Sequence, residues 1–525
     1  MLDLPSSAVY GAPLLVLACL IVIGQYRRYS HPLPPGPRGI PFIGNILDLP
    51  KDYEWIHWAK HRGLYGPISS VSILGQPVIF LNSLDVCNDL LEKRSSIYSG
   101  RPVLPFAGEM IGWNREMILA PYGSRFRALR KLVARQIGSK AAIAAPFVRE
   151  TQEYETRHFL ARVCANPEDM FRDIRLMTAA IFMRISHGYT VSKNSHRPDP
   201  LLALLDTAAH EFYLATLPGT WTVDAFPILR HLPAWFPGAS FKQTAACFRR
   251  TVLASAQKPI EFVKEELREK RALPSFASAG LEDPQVDEDV VVYAAASLFG
   301  GGTDTVVATQ MTFVLAMILY PDVQKRAQAE LDAVLGNEEG TRRLPTFKDR
   351  ESLLYLEAVY KEVLRWHVIG PMGIPHTSTE DDWYNGYFIP KGSLVFSNIW
   401  AISQDTAYYK DPTSFNPDRF MPDTSALDPH VFAFGFGRRK CPGVDMAGAN
   451  LFIFMALTLS VLEFGPGDGG MPEAEFVSGT VSHPKPFAYS VRPRSKEALS
   501  TVKAVHAELP LKESDADKVQ SVSTP

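Results

Sequence analysis

Apolar residues recur at three- and four-residue spacing through most of the chain, for example over residues 323–335 and 353–366, which predicts amphipathic helices. Short extended runs at residues 68–73, 78–81 and 394–397, near turn residues such as Gly75 and Gly392, predict a few strands. The pattern is mainly α with a minor β part. No internal repeat or low-complexity linker divides residues 41–495, so that stretch reads as one domain.

The two ends differ from this body. Residues 4–26 carry no charge and suffice to cross a bilayer as one helix. Asp3 precedes this run and Arg27-Arg28 follow it, which orients the N-terminus to the lumen and the rest to the cytosol. With no basic residue ahead of the run and no small-x-small site after it, a retained anchor is favoured over a cleaved signal. Residues 27–40, with Pro34-Pro35-Gly36-Pro37, read as an extended, semi-rigid linker. Residues 496–525 are polar and mixed in charge, and read as a solvated, disordered tail. A second apolar run, residues 290–320, would also span a membrane, but three glycines and Asp304 at its centre argue for a buried helix instead.

Composition narrows the function. With 525 residues, 46% hydrophobic and 21% charged, and a net charge of −2, the chain lacks the basic surface of a nucleic-acid binder. Its five cysteines, Cys19, Cys87, Cys164, Cys247 and Cys441, are scattered without a C-x-x-C pair. That excludes a disulfide framework and a zinc-finger site, and suits a reducing compartment.

One cysteine stands in a special setting. In Phe434-Gly435-Phe436-Gly437-Arg438-Arg439-Lys440-Cys441-Pro442-Gly443, Cys441 precedes an apolar helical pattern. A helix entry favours thiolate over thiol, glycines let the backbone approach a flat cofactor, and Arg439 offers a permanent cation to a carboxylate. The segment resembles the cytochrome P450 haem-binding loop, F-x-x-G-x-R-x-C-x-G, at every fixed position. The resemblance implies haem b with iron bound by the Cys441 thiolate, and Phe434, Gly437, Arg439 and Gly443 shaping the cofactor site.

Other segments follow the same family in the same order. Glu362 and Arg365 match E-x-x-R, and Arg419 in Asn416-Pro417-Asp418-Arg419-Phe420 implies a structural triad with them; Asp418 replaces the family's commoner Glu. Gly301-Gly302-Thr303-Asp304-Thr305 is similar to the family's central-helix motif, with glycines that permit a local opening. It implies Thr305 as hydrogen-bond partner of dioxygen and Asp304 as proton relay, while Val306 lacks the hydroxyl often found next. Arg130 matches the arginine of W-x-x-x-R, a haem propionate contact, but Phe126 replaces the tryptophan and has no N–H to donate. His376 stands where a further propionate partner is common, and is equally compatible with an ordinary loop histidine.

The resemblance implies a monooxygenase that takes electrons from NADPH through a flavin reductase and hydroxylates a lipophilic small molecule. Arg127, Lys131, Arg438 and Lys440 would form the reductase-docking face. The substrate pocket would be lined by Phe106, Met110, Ile111, Trp113, Val368, Ile369, Ile374 and residues 477–481, under a lid at residues 221–238 that partly enters the membrane. The layout from Ser99-Gly100-Arg101-Pro102 through residues 232–238 resembles fungal, basidiomycete-like members of secondary metabolism. Terpenoid or aromatic substrates and an endoplasmic reticulum location follow. A haem-thiolate isomerase or dehydratase, or a non-catalytic haem carrier, are the alternatives; intact Asp304 and Thr305 argue against the first.

Overall fold

The computed structural model describes residues 31–193, 198–217, 219–336 and 343–519. The expected membrane anchor at residues 4–26 lies outside the described residues. The chain opens with α1 (Glu54–Tyr65) and a hairpin of β1 (Ile68–Ile73) and β2 (Gln76–Leu81), turned at Leu74-Gly75. It continues through α2 (Ser124–Ile137), α3 (Pro146–Ala165), α4 (Met170–His187), α5 (Pro200–Thr216) and α6 (Phe241–Arg268). The central α7 (Glu288–Leu319) follows, then α8 (Pro321–Leu335) and α9 (Leu354–Trp366). Next come β3 (His376–Thr377), β4 (Asp382–Tyr384), β5 (Tyr387–Ile389) and β6 (Leu394–Ser397). The chain closes with α10 (Val444–Val461), the ribbon β7 (Leu462–Pro466) and β8 (Tyr489–Pro493), and α11 (Lys496–Glu508).

The main sheet runs β1-β2-β6-β3, with β2 and β6 parallel and the outer pairs antiparallel. Its apolar residues form a small core of their own, distinct from the large helical core that α2, α3, α4, α7, α9 and α10 share. Local chemistry sets the helix ends. Asp287 caps α7 by accepting from the Asp289 N–H, Asp199 caps α5 from Leu201 and Leu202, and Pro321 occupies the first turn of α8.

Two helices among the described residues, α7 and α10, are long and apolar enough to cross a membrane. Both instead run through the helical core, where their apolar faces meet protein on several sides. Gly302 shows how tightly α7 is held: a β-carbon there would meet the Phe182 ring of α4 at 2.2 Å.

The sequence expectation fails at the C-terminus. Residues 496–508 are not a disordered tail but α11, capped by the Ser495 side chain and docked on α3 with Ala498 and Val502 buried. Beyond it, the Lys512 N–H donates to the Tyr154 hydroxyl at 2.8 Å and the Asp515 N–H to the Thr190 carbonyl at 2.9 Å. Ala498 and Val502, with the partly buried Val505, give this polar segment an apolar stripe to dock by. The proline segment is likewise seated on the body: the Ser70 N–H and hydroxyl donate to the carbonyls of Pro35 and Pro34, and Gly36 packs against the Ser70 carbonyl.

Candidate active site

The loop before α10 presents Cys441 to a cavity of about 1420 Å³. Glycine is required in that loop. Gly437 has φ +59°, and a β-carbon there would meet the Leu91 carbonyl at 2.0 Å. The Cys441 N–H donates to the Phe434 carbonyl at 2.8 Å, and the Gly443 N–H points to Sγ at 3.4 Å. Burial pushes the free thiol up, and the Gly443 N–H and the charges of Arg130 and Lys440 offset this only in part. The helix entry alone therefore does not make a thiolate; a coordinated metal ion deprotonates such a thiol outright.

Of the six arginines among the described residues that line the cavity, Arg162, Arg172 and Arg175 face carboxylates, those of Asp173, Asp169 and Asp304; the other three are Arg101, Arg130 on α2, and Arg439. Among the described residues none of these three has a carboxylate partner. Arg439 donates to the Ser99 carbonyl at 2.9 Å and the Ala120 carbonyl at 2.8 Å, and lies 3.7 Å over the Phe126 ring. Phe126 thus replaces the tryptophan's N–H with a cation–π platform. Arg101 donates to the carbonyls of Ile118, Ile374 and Pro375. Burial, then the charge of Arg130, lowers Arg439 to about 10; burial, then Arg439, lowers Arg101 as well. Such a cluster is costly unless anions join it, and the two propionates of a haem are anions of that kind. The residues fit the cofactor.

His376 is buried beside this cluster. Its Nδ1–H donates to the Tyr98 carbonyl at 2.7 Å, and burial, then the charge of Arg101, lowers it to about 3. In that state its Nε2 accepts rather than donates, so donation to a propionate requires that the ring take up a second proton from solvent, which the charge of the anion favours.

On α7, Asp304 and Thr305 both line the cavity. The helix is unbroken there, without the local opening that its glycines allow; the Thr305 hydroxyl donates to the Gly301 carbonyl at 2.8 Å. A β-carbon on Gly300 or Gly301 would meet nothing within 4 Å, so these two positions give room on the cavity side. The Asp304 carboxylate accepts from His483 Nε2 at 3.1 Å and lies 4.0 Å from Arg175 of α4. Burial alone would raise this carboxyl, but the His483 hydrogen bond and the charges of His483 and Arg175 outweigh it and hold it below its ordinary value.

The Glu362–Arg365–Arg419 node lies away from the cavity and is almost wholly buried. Arg365 grips Glu362 through two bonds of 2.7 Å and donates to the carbonyls of Ser403, Pro412 and Ser414. The Asn416 N–H and Arg419 Nε complete the carboxylate, at 2.7 and 3.4 Å. The loop from residue 403 to residue 419 is thereby fixed to α9. Asp418 takes no part in the node; it pairs with Arg326 at the surface.

Of the expected pocket residues, Trp113, Val368, Ile369, Ile374, Val477, Ser478, Thr480 and Val481 line the cavity. Phe106, Met110 and Ile111 do not: they belong to a separate apolar cluster in which Phe106 stacks on Trp221 at 3.6 Å. Sequence reasoning missed Arg101, His483 and Glu116 as cavity residues. The Arg-Pro pair offered a weak signal for Arg101. His483 and Glu116 offered none.

A lone thiolate-competent cysteine, guanidinium groups without a carboxylate partner among the described residues and an acid–alcohol pair on one cavity define a haem-thiolate oxidoreductase. The comparisons agree. The Cytochrome P450 family model matches residues 34–491. The chain is 51% identical to Cytochrome P450 monooxygenase claR of Ampulloclitocybe clavipes, covering 94% of this chain and 92% of the relative. It is 42% identical to Cytochrome P450 monooxygenase 208 of Postia placenta, covering 94% and 97%. It is 36% identical to O-methylsterigmatocystin oxidoreductase of Aspergillus flavus, covering 93% of each. The chain belongs to the cytochrome P450 family, with fungal monooxygenases as relatives, and is itself a monooxygenase.

Proposed function

We propose that the protein hydroxylates a lipophilic small molecule, terpenoid or aromatic, in fungal secondary metabolism. Electrons come from NADPH through a flavin reductase, and one atom of dioxygen enters the product. Haem b supplies the oxygen activation and the redox chemistry. Cys441 holds the iron, Arg101, Arg130 and Arg439 hold the propionates, and Phe434, Gly437 and Gly443 shape the thiolate side. Asp304 passes protons toward the oxygen site, and Thr305 orients what binds there. The Glu362–Arg365–Arg419 node acts as scaffold.

The observation that carries this reading is the convergence of Cys441, Asp304, Thr305 and three guanidinium groups that have no carboxylate partner among the described residues on one cavity. Arg127 and Lys131 on α2, with Arg438, supply a basic exposed face suited to an acidic reductase surface. Phe226, Ile228, Trp235 and Phe236 are exposed together in the loop between α5 and α6, which supports a lid that meets the membrane. Residues 4–26 would hold the protein in the endoplasmic reticulum membrane as a single-pass anchor with the catalytic body in the cytosol.

The test is reduced protein treated with carbon monoxide. A thiolate-type Soret shift that disappears in Cys441→Ala is expected; its persistence in that variant would overturn the reading. Microsomes with reductase and NADPH then separate a monooxygenase from a carrier by product formed per NADPH consumed.

A further inference from the structure

The Asp304 carboxylate has one hydrogen-bond partner among the described residues, the ring of His483. Nε2 lies 3.1 Å from both carboxylate oxygens, so a single N–H faces the pair of them. The ring has no second partner: its Nδ1 is buried and unbonded among the described residues. Each side chain is thus the other's only hydrogen bond, while the carboxylate, 46% exposed, stays open toward the cavity that it lines.

The loop that carries His483 is fixed without help from α7. It closes on itself through a bridge between Phe476 and Pro484, the Val477 N–H donating to the His483 carbonyl at 2.8 Å, and the Ser482 hydroxyl donating to the Val477 carbonyl at 2.7 Å. It is also pinned from outside. The Ser482 N–H donates to the Ile369 carbonyl at 2.8 Å, the His367 ring stacks on Phe476 at 3.4 Å, and the Tyr53 hydroxyl donates to the Phe476 carbonyl at 3.1 Å. The position of His483 therefore does not depend on its bond to Asp304.

Arg175 does not substitute for that bond. It stands 4.0 Å from Asp304, beyond hydrogen-bond reach, and its charge also acts on Asp206 of α5. Asp206 in turn feels the charge of Asp304, so two carboxylates share one guanidinium. Burial opposes the charge of Asp304, and the His483 bond is the largest of the terms that offset it. His367, the other ring near the loop, is held neutral by burial, at about 3, and adds no charge.

We infer that His483 is a positioning residue for the monooxygenase reaction, which aims the Asp304 carboxylate at the cavity wall and keeps it ready to exchange protons there. This deepens the proposed function and rests on the relay role of Asp304. Among the described residues Nδ1 has no partner that returns a proton to the ring, so His483 orients the relay rather than extending it.

The test uses full-length holoenzyme, reduced and carbon monoxide-bound without substrate, and follows the infrared stretch of the bound carbon monoxide from about pH 5 to about pH 8, since that frequency responds to charge on the cavity wall. Without the His483 bond, burial prevails and Asp304 takes up a proton within that range. His483→Ala is therefore expected to show a step that is absent from His483→Gln, which retains a donor, and from the double variant of His483→Ala with Asp304→Asn. Steps common to all three belong to other cavity groups, such as Glu116, Asp206 and His210. No added step in His483→Ala, the same step in His483→Gln, or its survival in the double variant would each overturn the role. His483→Leu repeats the removal where the alanine preparation does not hold haem. The Soret peak separates the two failures. A thiolate-type peak without a His483-dependent step sinks the positioning role alone, whereas absence of that peak from the natural protein sinks the haem reading and the role with it.

Discussion

The triad node and the cavity rim are both buried and both rich in charge, yet their hydrogen bonding differs. At the node, Glu362 accepts from Arg365, Arg419 and a backbone N–H, and Arg365 spends its remaining donors on three carbonyls. At the rim, among the described residues, Arg101, Arg130 and Arg439 meet no carboxylate, and the side chains of Trp113 and Glu116 meet no hydrogen-bond partner. A scaffold supplies both halves of each interaction, whereas a recognition site supplies one half and keeps it uncommitted. Burial of charge does not by itself mark function; the pairing does.

The comparison breaks most visibly at the node. Glu362→Ala leaves two guanidinium groups buried without a counter-charge, a loss of about 3–5 kcal/mol. Soluble holoprotein should fall to near nothing by yield and carbon monoxide spectrum, and normal yield would refute the scaffold role. At the rim the expected loss is smaller and specific to the cofactor. Arg439→Leu removes charge-assisted bonds of about 1.5–3 kcal/mol, so haem transfer to apomyoglobin should run about tenfold to hundredfold faster. Arg326→Leu, which breaks only the exposed pair with Asp418, should leave that rate unchanged.

His483→Ala should lower product formed per NADPH about tenfold with little change in KM, and His483→Gln, which retains a donor, should recover most of it. Asp304 is held below its ordinary value, so its pairing stabilises the fold above the ordinary carboxylate value and is lost as pH falls from there through the lowered one. Infrared titration of that carboxyl should show it moving upward in His483→Ala; an unmoved titration would assign His483 a packing role. The smallest effect concerns Glu116, whose raised carboxyl costs stability progressively as pH climbs from the unfolded value of about 4.3 toward 8. The advantage of Glu116→Gln in thermal midpoint should therefore grow over that range, and a constant difference would place the carboxyl in water.

Local pattern determined much of this protein. The periods over residues 323–335 and 353–366 appear as α8 and α9, and the runs at 68–73 and 394–397 as β1 and β6, because side-chain periodicity is a property of neighbours in the chain. The Cys441 loop was legible for a similar reason: its glycines, Arg439 and cysteine act within ten residues. Tertiary structure decided the rest. Nothing in the chain near His483 marks it, and it meets Asp304 only because the segment after β7 folds back over α7. The docking of α11 rests on Ala498 and Val502 finding α3, and Tyr154 of α3 holds the chain just beyond it through the Lys512 N–H. Whether Arg439, Arg101 and Glu116 are paired cannot be read from residue type, since pairing depends on which distant elements share the space around them.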